Sequence, residues 1–141
     1  MAYGIRRTKL SSNGSYKVKR QNEHSIQVEC VKWFRYVYPR YANMLFAVPN
    51  GSQREKVTGA KLKAEGVKAG VADLLLLLSR GGFTCLCIEM KTPKGVQSAI
   101  QKAWQKEAEE NGCRYVICRS VGDFINEVTN YLKLDKKNIE K

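Results

Sequence analysis

The sequence predicts an α/β protein in which a small mixed sheet is covered on both faces by helices. Segments with apolar residues at helical spacing alternate with short apolar runs bounded by turn residues. Their order is helix, strand, an inserted helix, two strands, helix, strand, helix, which calls for a mixed sheet flanked by helices. At 141 residues the chain is the size of one domain with one site. A hydrophobic content of 43% with three prolines excludes a disordered chain. No apolar run approaches the roughly 18 residues needed to span a bilayer.

Residues 1–21 read as a basic arm. Arg6, Arg7, Lys9, Lys17, Lys19 and Arg20 occur there without an acid, so the arm supplies +6 of a net charge of +12. Asn22 caps a helix that runs to about Tyr38 and is stopped by Pro39. Ile26, Cys30, Val31, Phe34 and Val37 form its apolar stripe. Glu23 and Gln27 prolong that stripe toward the N-terminus and turn inward, whereas Glu29, about 200° around the helix from Gln27, is the alternative acid. Met44 to Val48 reads as a strand closed by the turn Pro49-Asn50-Gly51. Residues 53–65 then form a helix ended by Gly66, with Arg54, Lys56, Lys61 and Lys63 on its surface.

The run Leu74 to Leu78 suits a strand buried on both faces, turned by Ser79-Arg80-Gly81-Gly82 into a partner from Phe83 to Lys91. In the partner, Thr84, Leu86, Ile88 and Met90 face one way, and Cys85, Cys87, Glu89 and Lys91 the other. Ser98 caps a helix through Asn111 with Gly112 as its stop, and Arg114 to Arg119 form another strand. Ser120 with Asp123 makes a capping-box-like start to a last helix ending near Leu134. The folded domain is thus 22–134, and residues 135–141 form a tail. Trp33 and Trp104 sit at core spacing on their helices.

A net charge of +12 favours a polyanionic partner, and nucleic acid fits best. The five cysteines form no CxxC pair and read as small buried hydrophobes. With His24 the single histidine, a multi-histidine zinc centre is excluded, which leaves metal chemistry to carboxylates. No secretory signal precedes the arm, which places the protein in the cytoplasm.

Antiparallel pairing of the Leu74 run with the strand ending in Glu89-Met90-Lys91 brings Asp73, Glu89 and Lys91 to one end of the sheet. Two acids and an ammonium that converge on buried strands are costly unless paired. They form either a buried salt bridge or a site for a hard cation such as Mg²⁺ or Mn²⁺. In the second case Asp73, Glu89 and the Met90 carbonyl supply the oxygens, and Lys91 orients water or steadies charge on phosphorus.

The runs Val67-Lys68-Ala69-Gly70-Val71-Ala72-Asp73-Leu74 and Ile88-Glu89-Met90-Lys91-Thr92-Pro93-Lys94-Gly95, with Ser98 and Gln101 after them, resemble the virus-type replication-repair nuclease (VRR-NUC) family. That family belongs to the PD-(D/E)xK, restriction-endonuclease-like nucleases. Asn22-Glu23-His24 with Gln27, and Val48-Pro49-Asn50-Gly51, extend the resemblance over about residues 22–133. It implies an αβββαβ core, with Asp73 and Glu89 as metal-binding acids, Lys91 as the catalytic lysine, Glu23 as a first-helix acid near the metal and Gln101 beside the site. Ala72 stands where the family pattern has proline; proline offers no ligand, so the site is not altered by it.

The resemblance further implies a Mg²⁺- or Mn²⁺-dependent endonuclease acting on branched DNA in a bacterial or phage-infected cell, as a symmetric homodimer that resolves Holliday junctions. Arg6, Arg7, Lys19, Arg20, Arg54, Lys56 and Lys94 are the expected DNA contacts, although Lys94 also suits ordinary turn chemistry. A flap or nick nuclease, a non-catalytic DNA-binding module and an RNA-processing protein are the competing readings. No aromatic-rich strand of the kind that stacks single-stranded bases is present.

Overall fold

A computed structural model describes residues 22–49 and 56–136. The expected contacts Arg6, Arg7, Lys19, Arg20 and Arg54, the Asn50-Gly51 half of the turn and the end of the tail lie outside these residues, as does the side chain of Lys56.

Helix α1, Glu23–Val37, starts where Asn22 Oδ1 accepts the Ser25 backbone N–H at 2.8 Å. Pro39 turns the chain into a short 3₁₀ segment, Pro39–Met44, which takes over the first residue expected of the next strand. Strand β1, Leu45–Ala47, follows, and helix α2, Lys56–Ala64, closes into Gly66 at φ 102°. Strands β2, Leu74–Leu76, and β3, Leu86–Met90, pair antiparallel with Leu74 opposite Ile88. Helix α3, Ala99–Glu110, crosses over to β4, Arg114–Cys118, which lies parallel to β3. Helix α4, Val121–Lys133, ends the domain. The sheet order β1-β2-β3-β4, antiparallel up to β3 and parallel after it, is the mixed α/β architecture the sequence predicts.

One sheet face carries the main core. Ile26, Cys30 and Phe34 of α1 and Phe124, Val128 and Tyr131 of α4 pack on Leu74, Leu76, Leu86, Ile88 and Met90. Burial pushes the Cys30 and Cys118 thiols up to about 12, so these two behave as the small hydrophobes expected. The other face holds a smaller cluster of Ala72, Cys85, Cys87 and Tyr115, covered by Trp104 of α3. The expected alternation along β3 therefore holds, with Leu86, Ile88 and Met90 on the main core.

Three local expectations are corrected. The strand from Leu74 ends at Leu76, and Leu77 just beyond it is 54% exposed. The partner strand starts only at Leu86, because Arg80 and Phe83 close the hairpin as an isolated bridge over Gly81 and Gly82, both at positive φ. The full capping box forms at Ser98 and Gln101, not at Ser120: Ser120 accepts from Asp123 N–H, but the Asp123 carboxylate accepts from Arg119 N–H. Among the described residues no helix is long and apolar enough to cross a membrane.

Candidate active site

The sheet end where β2 begins and β3 finishes gathers the charged groups. Val48 N–H donates to the Asp73 carbonyl at 2.9 Å, so the chain entering the Pro49 turn runs beside Asp73. Ala72, at the position where the family pattern has proline, is fully buried in the small cluster just before Asp73. Gly70, at φ 84°, lets the preceding loop pass against the first turn of α3: a Cβ there would press on the Ile100 side chain and come within 3.0 Å of its carbonyl oxygen. The Asp73 carboxylate then accepts the Met90 backbone N–H at 2.7 Å, which ties the two strand ends together.

Glu89 is 1% exposed, and both its oxygens are engaged. Oε1 accepts from Gln101 Nε2 at 2.8 Å and faces Lys91 Nζ at 3.5 Å, while Oε2 accepts from the Tyr115 hydroxyl at 3.1 Å. Burial, then the negative charge of Asp73, push the Glu89 carboxyl up to about 7 against the pull of Lys91. Burial and the neighbouring Glu89 charge in turn push the Tyr115 hydroxyl up.

Two neighbouring carboxylates, the charge of Asp73 opposing that of Glu89, offer oxygen donors and no imidazole and fit a hard divalent cation such as Mg²⁺ or Mn²⁺. Asp73, Glu89 and the Met90 carbonyl would hold it. There it would polarise a phosphate and lower the pKa of a bound water.

Lys91, itself buried, continues β3 by donating its N–H to Cys118 O at 2.9 Å. The loop that follows is held from below: Arg119 Nη1 donates to the carbonyls of Thr92 at 2.8 Å, Gly95 at 2.7 Å and Pro93 at 3.4 Å. Gly95 sits close under the Lys91 stem, where a Cβ would come 3.4 Å from Cδ. Lys94 is exposed on this loop.

The structure thus brings together Asp73, Glu89, the Met90 backbone, Lys91 and Gln101. Glu23, expected to turn inward, does not do so. It lies about 20° around the helix from buried Cys30, as its spacing requires, but one turn beyond Ile26, where the stripe leaves the core, and it is exposed. Among the described residues no hydrogen bond or ion pair joins it to the acids. Glu29 is exposed too, and Gln27 lines a shallow groove on α1 with Val28 and Val31.

Sequence reasoning missed Tyr115, Gln97 and Arg119. Gln97 Nε2 reaches both Tyr115 Oη at 3.3 Å and Gln105 Oε1 at 3.0 Å, so Glu89 is backed by a short polar chain. Strand alternation places Tyr115 on one face of β4, but only the parallel register, with Cys87 opposite Tyr115, lets its ring reach Glu89. Of the five cysteines expected as small buried hydrophobes, Cys30, Cys85, Cys87 and Cys118 are buried and Cys113 is half-buried; nothing in the sequence signalled that the sulfurs of Cys85, Cys87 and Cys113 lie within 4.8 Å of one another.

An acid before the second strand and a Glu-x-Lys at the end of the third, on an αβββαβ core, define a PD-(D/E)xK nuclease-like domain. Within that class the sequence pattern of the VRR-NUC domain matches residues 18–122, and the chain belongs to this family. A solved structure described as a VRR-NUC domain protein superposes with a TM-score of 0.71 at 24% identity, covering 84% of this chain and 93% of its own. That likeness establishes the shared fold. Comparison with curated proteins returned no match.

Proposed function

We propose that this protein is a Mg²⁺- or Mn²⁺-dependent endodeoxyribonuclease that hydrolyses phosphodiester bonds in branched DNA, acting as a homodimeric Holliday-junction resolvase. The observation that carries the proposal is the convergence of Asp73, Glu89 and Lys91 at one sheet end, with Gln101 bonded to Glu89. A binding module on the same fold needs basic residues but no pair of acids beside the phosphate path, where they repel the backbone.

In this reading the Lys91 ammonium orients the attacking water and steadies charge that develops on the phosphoryl oxygens. Gln101 and Tyr115 fix the Glu89 carboxylate so that it does not swing when DNA enters. Glu23, at the exposed start of α1, joins the site from the rim. The basic residues Arg6, Arg7, Lys19, Arg20, Arg54, Lys56 and Lys94 grip the backbone. The homodimer follows from the substrate: a four-way junction is cut at two opposed strands, and two copies related by a dyad present two such sites.

The test is cleavage of labelled four-way junction, flap and plain duplex DNA, each with and without Mg²⁺ or Mn²⁺. The expected result is metal-dependent paired cleavage of the junction, abolished in Asp73→Asn, Glu89→Gln and Lys91→Ala while DNA affinity stays within about threefold of wild type. Preferential cutting of the flap would replace the junction assignment. Cleavage near wild type in two of the three variants would overturn the site.

A further inference from the structure

The α3 face of the sheet holds a second cluster of ligating side chains. Cys87 of β3 and Cys85 just before it lie on the same sheet face, and the turn after α3 delivers Cys113 against them. Cys85 Sγ stands 3.9 Å from Cys87 Sγ and 3.4 Å from Cys113 Sγ, and all three sulfurs fall within 4.8 Å of one another. Sulfurs bound ~2.3 Å from a common tetrahedral Zn²⁺ stand ~3.8 Å apart, and the Cys85–Cys87 and Cys85–Cys113 spacings lie within about 0.4 Å of that value.

The backbone beneath the sulfurs is fixed from both sides. Thr84 N–H donates to Gly112 O at 2.9 Å, and Arg114 N–H donates to Cys85 O at 3.0 Å, which locks the turn against the start of β3. Gly112, at φ 86°, makes that turn. Cys87 is 1% and Cys85 9% exposed, among Ala72, Leu75, Trp104 and Ile117, while Cys113 opens toward solvent. Two sulfurs are thus buried in the sheet face and the third is half-buried at its margin. The hydroxyl of exposed Thr84, 3.4 Å from Cys113 Sγ, offers an oxygen donor for a fourth position. All five cysteines of the chain are free.

We propose that Cys85, Cys87 and Cys113 form a binding site for a thiophilic d¹⁰ cation of the Zn²⁺ class, distinct from the carboxylate site. Three soft donors select Zn²⁺ over Mg²⁺, as two carboxylates do the reverse. Binding releases the thiol protons and joins β3 to the turn 28 residues later, so its free energy stabilises the β3–α3–β4 crossover that carries Gln101 to Glu89.

Full-length protein, reduced and stripped with chelator, is titrated with Zn²⁺ and, as an optical reporter, with Co²⁺ in excess Mg²⁺. The expected result is one equivalent bound per chain, thiolate-to-Co²⁺ charge-transfer absorption that Zn²⁺ bleaches, and a raised Tm. Cys113→Ser should weaken Zn²⁺ binding by more than about tenfold, whereas Asp73→Asn should leave the absorption unchanged. A measurement on the wild-type chain needs no variant: bound Zn²⁺ should slow alkylation of Cys113 by at least about tenfold. Absence of the charge-transfer band, an alkylation rate indifferent to Zn²⁺, or a Cys85–Cys113 disulfide in Zn²⁺-replete protein would each overturn the site.

Discussion

Glu89 is the residue on which the site turns, because its surroundings oppose its charge more than they support it. Burial and Asp73 raise its carboxyl from an ordinary 4.5 to about 7. Below about pH 4.5 folded and unfolded chains both hold that proton, and stability is unaffected. As pH rises to about 7 the unfolded chain releases a proton the folded chain keeps, so stability falls, by about 3 kcal/mol once the pH exceeds 7. Urea unfolding in EDTA should show this decline, Glu89→Gln should remove it, and Mg²⁺ should offset it at pH 8. Tyr115 acts on the same carboxylate by donating to its charged form. Tyr115→Phe should therefore move the acidic limb of the pH–rate profile for cleavage to higher pH and lower kcat at neutral pH by about tenfold. An unshifted profile would limit the tyrosine to packing.

Helix α3 is both a cover for the sheet and a lever on the site, and one amide joins the two roles. Gln101 Oε1 accepts the Ser98 N–H at 2.9 Å as half of the capping box, and its Nε2 holds Glu89. Gln101→Glu keeps the box, since glutamate caps equally well, but replaces the donor to Glu89 with a third acid. Its thermal stability at acidic pH should stay near wild type while cleavage falls by more than about tenfold, read by differential scanning calorimetry and junction cleavage. Ser98→Ala, by contrast, should cost about 1 kcal/mol of stability in urea unfolding. The loop before β2 obeys a steric rule. Gly70→Ala combines a positive φ with a clash against Ile100 backbone and should lower stability by about 1–3 kcal/mol.

At the scale of the whole molecule, the proposed function rests on charge and on two-fold symmetry. The arm of residues 1–21 carries six cationic side chains and no acid. Deleting residues 2–20 should weaken DNA binding and flatten its dependence on salt, while circular dichroism of the remaining domain is unchanged. Affinity that is unaltered across a salt series would dismiss the arm as a DNA contact. Light scattering at micromolar concentration should give a dimer mass of about twice the 16.0 kDa chain. A cruciform plasmid should then be linearised within one binding event. A 16.0 kDa species that accumulates nicked circles before linear product would exclude the paired-cut mechanism.

Local patterns were enough to recover what depends on neighbours in sequence. Asn22, Ser98 and Gly112 mark helix ends by chemistry that acts over a few residues. The hairpin between the Leu74 run and Glu89 follows from a short glycine turn, so the approach of Asp73 to Glu89 and Lys91 was legible before any coordinates. Position along an element was legible too, but depth was not: the spacing of Glu23 aligned it with Cys30, while its exposure depends on where the sheet ends beneath α1. Tertiary structure alone decided which strand lies beside β3, and with it the reach of Tyr115 to Glu89, the support of the Lys91 loop by Arg119, and the meeting of Cys113 with Cys85 and Cys87. These contacts join residues 24 to 28 positions apart across a parallel crossover. Periodicity reports which face a side chain occupies; the partner it meets is set by strand order and register, which arise only when the whole sheet is assembled.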